Sequence, residues 1–166
     1  MATAKESHLT SLMCITQGRF AKLIKEIEKA GYEVIITSSY RSTEKQLELY
    51  NKLKGQKNGR AAKKSKHEHG IAVDINLKKK DKYWRKNTSK QEWEKTGVPK
   101  IAKDLGFRWG GDFSNNYDPI HFDLSKDFST NKLSGELEAI TQVPADIAFY
   151  CKVKNFYRHY YKDWTE

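Results

Sequence analysis

Ser65-Lys66-His67-Glu68-His69-Gly70-Ile71-Ala72-Val73-Asp74 and, further along, Asp118-Pro119-Ile120-His121-Phe122 decide how this chain of 166 residues folds. Each segment runs from polar, turn-prone residues into strict alternation. Ile71, Val73, Ile75 and Leu77 point one way, and Ala72, Asp74 and Asn76 the other. Ile120, Phe122 and Leu124 alternate with His121 in the same manner. Two neighbouring strands can therefore present Asp74 and His121 side by side, with the small Ala72 leaving room on that face. Gly70 permits a sharp turn from the loop that carries His67. His67, Asp74 and His121 can make a three-ligand zinc set with an open fourth position, which a catalytic zinc requires. Asp118, at the start of its strand, is then a spare carboxylate able to accept a proton from water. The pattern predicts one Zn2+ per chain, in a hydrolytic centre.

Ser-x-His-x-x-Gly-x-Ala-x-Asp at 65–74 is joined by Asp118-x-x-His121, by the upstream Tyr40-Arg41-Ser42 and by Gly106-Phe107-Arg108-Trp109-Gly110-Gly111-Asp112. Together they resemble the zinc D-alanyl-D-alanine carboxypeptidase and L-alanyl-D-glutamate endopeptidase family, which includes several bacteriophage endolysins. The resemblance covers roughly Val34 to Leu124. It implies that His67, Asp74 and His121 are the zinc ligands, that Asp118 is the general base, and that Arg41 is the substrate-binding arginine. Arg41 would hold a substrate carboxylate or steady the oxyanion of the reaction. Trp109 is expected to contact substrate, and Ser65 either to contact substrate or to orient its loop. Aspartate at 118, where the dipeptidase branch has glutamate, looks like the endopeptidase side, as does the Trp-Gly-Gly segment. The implied partner is the peptidoglycan stem peptide. Three functions stay open: an endolysin-type L-alanyl-D-glutamate endopeptidase, a D-alanyl-D-alanine carboxypeptidase of the same fold, and a non-catalytic zinc or wall-binding module.

Composition narrows the remaining classes. The chain is long enough for one domain with a real core, and 37% hydrophobic with 12% aromatic residues is a globular balance. No apolar run reaches the length of a membrane span, and the N-terminus is polar without a signal-like core. The expectation is a monomer kept in the host bacterial cytoplasm until a hole-forming partner releases it to the wall, as the resemblance to endolysins implies. Cys14 and Cys151 are expected to be free thiols. A net charge of +10 would attract any anionic polymer, but no nucleic-acid-binding signature accompanies it. Lysines and arginines gather at 52–66, leading into the zinc motif, then at 78–82 and 152–162. The first two runs either hold an anionic substrate or form a solvated face. His69 reads as a solvated loop residue or a second layer behind the site, and His8 and His159 as surface residues.

The fold class expected is α+β: a small antiparallel sheet carrying the zinc site, flanked by helices. One domain spans 1–166, with its core at about 17–125 and a C-terminal helical extension from about 130. Helices are predicted over 18–30, over 43–53 with Leu47, Tyr50 and Leu53 inward, and over 89–105 with a break near Gly97-Val98-Pro99. Strands are predicted over 33–37, 71–77, 107–109 and 120–124, and 78–88 reads as loop. Leu133 to Ile140 and Ala145 to Tyr161 look helical. The aromatics of that second helix, interleaved with Lys152, Lys154, Arg158 and Lys162, either pack on the domain or contact the envelope surface.

Overall fold

A central strand carries the sheet, and its sequence explains why. In the computed structural model, which describes residues 4–54 and 61–126 and, in α2, omits the side chains of Cys14 and Ile15, the alternating segment forms a strand over Ala72–Lys79. Val73, Ile75 and Leu77 are fully buried on one face. The strand Glu33–Ser38 (β1) pairs antiparallel along one edge of this strand (β2), from Glu33 opposite Lys78 to Ser38 opposite Asp74. The other edge is shared. His121–Asp123 (β5) pairs with its first half and Lys82–Trp84 (β3) with its second. Arg108–Trp109 (β4) extends the sheet beyond β5.

Helices cover the apolar face. The helix Ala4–Thr10 (α1) is followed by Cys14–Lys29 (α2), whose Phe20, Leu23 and Ile27 are wholly buried. Each such side chain contributes about 1.5–3 kcal/mol relative to exposure. Thr43–Leu53 (α3) is capped by the Ser42 hydroxyl, which accepts a hydrogen bond from Lys45 N. Lys90–Glu94 (α4), capped by Ser89, and Val98–Asp104 (α5), with Pro99 in its first turn, bury Trp93, Val98 and Ala102. The α+β class and the small antiparallel sheet are as the sequence predicted.

Several elements differ from expectation for physical reasons. α2 starts at Cys14, ahead of Gly18, because its N-terminal end is anchored: Met13 N donates to Gly70 O at 3.0 Å and Thr16 Oγ1 donates to the same carbonyl at 3.1 Å. α1 falls in the polar N-terminal stretch, for which the sequence predicts no element. The segment 78–88 is not simply loop, since β2 runs on to Lys79 and turns at Lys80 (φ 54°) into β3, where Trp84 is buried. In α3 the inward residue is Gln46, 1% exposed, while Leu47 is exposed. Gln46 is buried because it is bonded, accepting from Arg41 and donating to Ala62 O.

Every described element lies in the first of two units into which the chain divides, Met1–Leu124 and Ser125–Glu166. The helices expected at 133–140 and 145–161, His159, residues 55–60 of the basic loop and the thiols of Cys14 and Cys151 lie outside what is described. No helix among the described residues is long and apolar enough to cross a membrane.

The Trp109-Gly110-Gly111 segment has a packing explanation. A Cβ on Gly110 would lie 2.2 Å from the Asp118 carbonyl oxygen, and one on Gly111 would lie 2.2 Å from the Trp109 ring. Gly110 O in turn accepts from Asp118 N at 3.0 Å. This close backbone contact sets where Asp118 stands. Gly110→Ala should therefore push the Asp118 turn away and cost about 1–3 kcal/mol, as overpacking of a tight site does. Urea unfolding checks it, and a midpoint equal to the parent's would refute the packing role.

Candidate metal centre

His67 is placed by a short, fully capped turn. Lys66–His69 form one 3-10 turn, with Ser65 and Glu68 making reciprocal capping bonds and Gly70 closing it in the left-handed conformation (φ 63°). The Ser65 side chain caps this turn, accepting a hydrogen bond from His67 N. The turn holds His67 at 3% exposure. Its Nδ1–H donates to Ser39 O at 2.6 Å, which leaves Nε2 facing inward.

Asp74 and His121 are cross-strand partners in the β2–β5 ladder, on one face as the alternation predicted. One oxygen of Asp74, Oδ1, lies 3.1 Å from His67 Nε2 and 3.1 Å from His121 Nδ1. Ligand atoms of His67, Asp74 and His121 all fall within 4.8 Å of one another. The two imidazole rings meet edge to face, their centroids 5.1 Å apart. The donor set is two nitrogens and a carboxylate oxygen, with the outer ring nitrogens already bonded to the Ser39 carbonyl and the Asp123 carboxylate. The inner nitrogens, both beside Asp74 Oδ1, are the ones that would offer lone pairs to an ion on giving up the proton they share with it, a donor set that suits zinc.

Asp118 stands in the turn before β5, and His121 N donates to its carbonyl at 3.0 Å. Among the described residues its Oδ1 is buried without a hydrogen-bond partner, and Lys86 Nζ lies 3.8 Å from it. Burial pushes its carboxyl above the ordinary carboxylate range, with Lys86 opposing. A raised pKa suits a group that must accept and return a proton. Arg41 also reaches the site. Its guanidinium donates to Gln46 Oε1 at 2.7 Å and to Ser38 Oγ at 2.8 Å, and lies 4.0 Å from Asp74 Oδ2.

Two expectations need correction. Trp109 does not line the site surface: it is 1% exposed, and its indole N–H donates to Pro119 O at 2.7 Å. An aromatic beside two glycines packs on them because they leave the space. His8 is no plain surface residue, since its Nδ1 lies 2.8 Å from Ser39 Oγ, behind the carbonyl that holds His67. Sequence reading missed Ser39, Gln46 and Asp123. Only Asp123 carried a signal, being two residues past His121 and so on its face. His69 is not part of the ligand group.

His121 has carboxylates on both ring nitrogens. Burial pushes its pKa down, but the hydrogen bonds to Asp123 and Asp74 outweigh it and raise it to about 9. Burial likewise pushes Asp74 up, and the bonds from His121 and His67 outweigh it and hold it far below the usual range. A raised folded-state pKa means stability fully present below the ordinary value of 6.5 and lost as pH rises through about 9. Chelator-treated protein should accordingly melt at progressively lower temperature across that window. His121→Gln should flatten the trend, and an unchanged slope would show that another group causes it.

Residues 58–124 match the family model described as D-alanyl-D-alanine carboxypeptidase. The peptidoglycan L-alanyl-D-glutamate endopeptidase CwlK of Bacillus subtilis (strain 168) is 35% identical over 111 residues, covering 57% of this chain and 62% of that protein. The chain thus spans less than two thirds of that relative's length. The crystal structure of the L-Ala D-Glu endopeptidase ChiX of Serratia marcescens shares the fold, with a TM-score of 0.55 at 18% identity, covering 77% of this chain and 92% of that one. Over residues 58–124 the chain carries the D-alanyl-D-alanine carboxypeptidase family's pattern, and the family resemblance read from its motifs holds.

Proposed function

We propose that this chain is a zinc-dependent peptidoglycan hydrolase that cuts the stem peptide, at the L-alanyl-D-glutamate bond. The observation that carries the reading is the joint placement of two features. Three ligand atoms converge within 4.8 Å, and beside them stands Asp118, whose buried Oδ1 has no hydrogen-bond partner among the described residues. A purely structural zinc site closes its fourth position with a protein ligand and has no use for such an oxygen. The 35% identical relative supports the choice of bond.

His67, Asp74 and His121 would hold the zinc. When bound there, zinc supplies Lewis-acid polarisation of a carbonyl and water activated near neutral pH. Asp118 takes the proton from the attacking water at its free oxygen and returns it to the leaving amine. Arg41, its guanidinium held by Gln46 and Ser38, offers charge to a substrate carboxylate or to the developing oxyanion. The exposed Lys63 and Lys64, just before the capped turn, would attract the anionic wall polymer. Deployment as a phage endolysin is the further expectation that follows from the resemblance.

Purified protein should contain about one zinc per chain. Changing His67, Asp74 or His121 to Ala should release it and abolish hydrolysis, and full metal content in any of the three would remove that residue from the ligand set.

Asp118→Ala should keep both metal and fold yet lose roughly 10²–10⁴ in rate. Loss of metal in that variant would make Asp118 a ligand instead. The same assay, digestion of purified peptidoglycan with mass spectrometry of the new amino termini, identifies the bond. New D-glutamate termini are expected, release of terminal D-alanine would indicate the carboxypeptidase reading, and an intact wall would leave a binding module.

A further inference from the structure

Asp123 combines the burial of a core residue with a charged side chain. It is 1% exposed, and its neighbours Phe122 and Leu124 are fully buried. Being two residues past His121 in β5, it lies on the same face of the sheet. Across the ladders it stands opposite Ala72 in β2 and Arg108 in β4. Ala72, the smallest side chain on its face of β2, is itself fully buried.

The contacts of Asp123 are directional. Its Oδ2 lies 3.2 Å from His121 Nε2, and its Oδ1 lies 4.0 Å from Arg108 Nε, on a side chain that is 39% exposed. A carboxylate only accepts hydrogen bonds, so it favours the proton on Nε2. Nδ1, which lies 3.1 Å from Asp74 and points into the ligand group, is then the nitrogen that would give up its proton to an ion. His67 is ordered the other way round, its Nδ1 tied to Ser39 O and its Nε2 inward. The two imidazoles thus meet from opposite ring positions, each with its outer nitrogen held. The holders differ: a neutral carbonyl for His67, a carboxylate for His121.

We propose that Asp123 is a positioning residue for the metal: it fixes His121 in the tautomer that presents Nδ1 to the ion and strengthens that nitrogen as a donor. The inference rests on the zinc reading above. The competing explanation is that Asp123 serves only as the ion-pair partner of Arg108 inside the fold.

Zinc dissociation constants, measured by chelator competition on the full chain, separate the two, with circular dichroism to verify folding and long-range 1H–15N spectra to report the His121 tautomer. Asp123→Ala should weaken zinc binding by about 10–100-fold and lose the single Nδ1-bound tautomer. Asp123→Asn, whose amide oxygen can still accept from Nε2–H, should fall between that variant and the parent and keep the tautomer. Arg108→Ala should leave zinc affinity unchanged. Should Asp123→Ala fail to fold, Asp123→Asn decides. A folded Asp123→Asn that binds zinc as tightly as the parent overturns the proposal, and so does an Arg108→Ala that weakens zinc binding as much as Asp123→Asn. A parent chain that binds no zinc overturns the metal reading itself, a failure visible before any variant is made.

Discussion

One carboxylate oxygen, Asp74 Oδ1, holds the centre of this molecule together. Two imidazole nitrogens lie 3.1 Å from it, and the Arg41 guanidinium stands 4.0 Å from the other oxygen. Hydrogen-bonding ring nitrogens and a nearby guanidinium are what allow a carboxylate to remain ionised where little water reaches it. To collect them, β2 must be an interior strand. β1 on one edge brings in the chain that continues to Ser39 and Arg41, β5 on the other brings His121, and the turn just before β2 brings His67. A register slip of one residue in β5 would send His121 to the opposite face and dissolve the group.

Around this centre, polar side chains are buried where an apolar pattern would otherwise be expected, and they are bonded. Gln46 bridges Arg41 and Ala62, Thr16 ties α2 to the Gly70 turn, and Asp123 holds His121. Leaving such groups unpaired would cost about 1–3 kcal/mol each, so each is a constraint on the backbone that supplies its partner. Asp118 departs from the pattern, since its Oδ1 is buried with no hydrogen-bond partner among the described residues. An unsatisfied carboxylate oxygen beside a group that could hold a metal is costly for stability, a cost that functional sites commonly carry.

The Trp109-Gly110-Gly111 segment shows how a motif can act at one remove. Its indole is buried and bonded to Pro119 O, its glycines admit the ring and the Asp118 backbone, and none of the three need touch a substrate. It acts on the site by setting the turn from which Asp118 projects. The capped turn at Ser65–Gly70 does the same for His67, and both turns depend on glycine: one for a left-handed conformation, the other for close backbone approach.

Much of this was legible in the amino-acid sequence, for a local reason. Period-two alternation settles which side chains share a face, so Asp74 and His121 could be paired from the residues alone, and Ser42, Ser89 and Pro99 marked helix starts through local backbone chemistry. The pairing of Asp74 with His121 and the α+β class followed from those signals. What the sequence could not determine rests on contacts between distant segments. The β2–β3 turn is hidden among lysines and an aspartate, whose charges resemble a solvated loop. The start of α2 depends on the Gly70 carbonyl. The burial of Gln46, Trp109 and Asp123, and the link from His8 to Ser39, follow from packing partners far along the chain. Side-chain type and spacing specify which groups can meet, but only the tertiary structure decides which of them are desolvated and paired, because burial belongs to the assembled fold and not to any one segment of it.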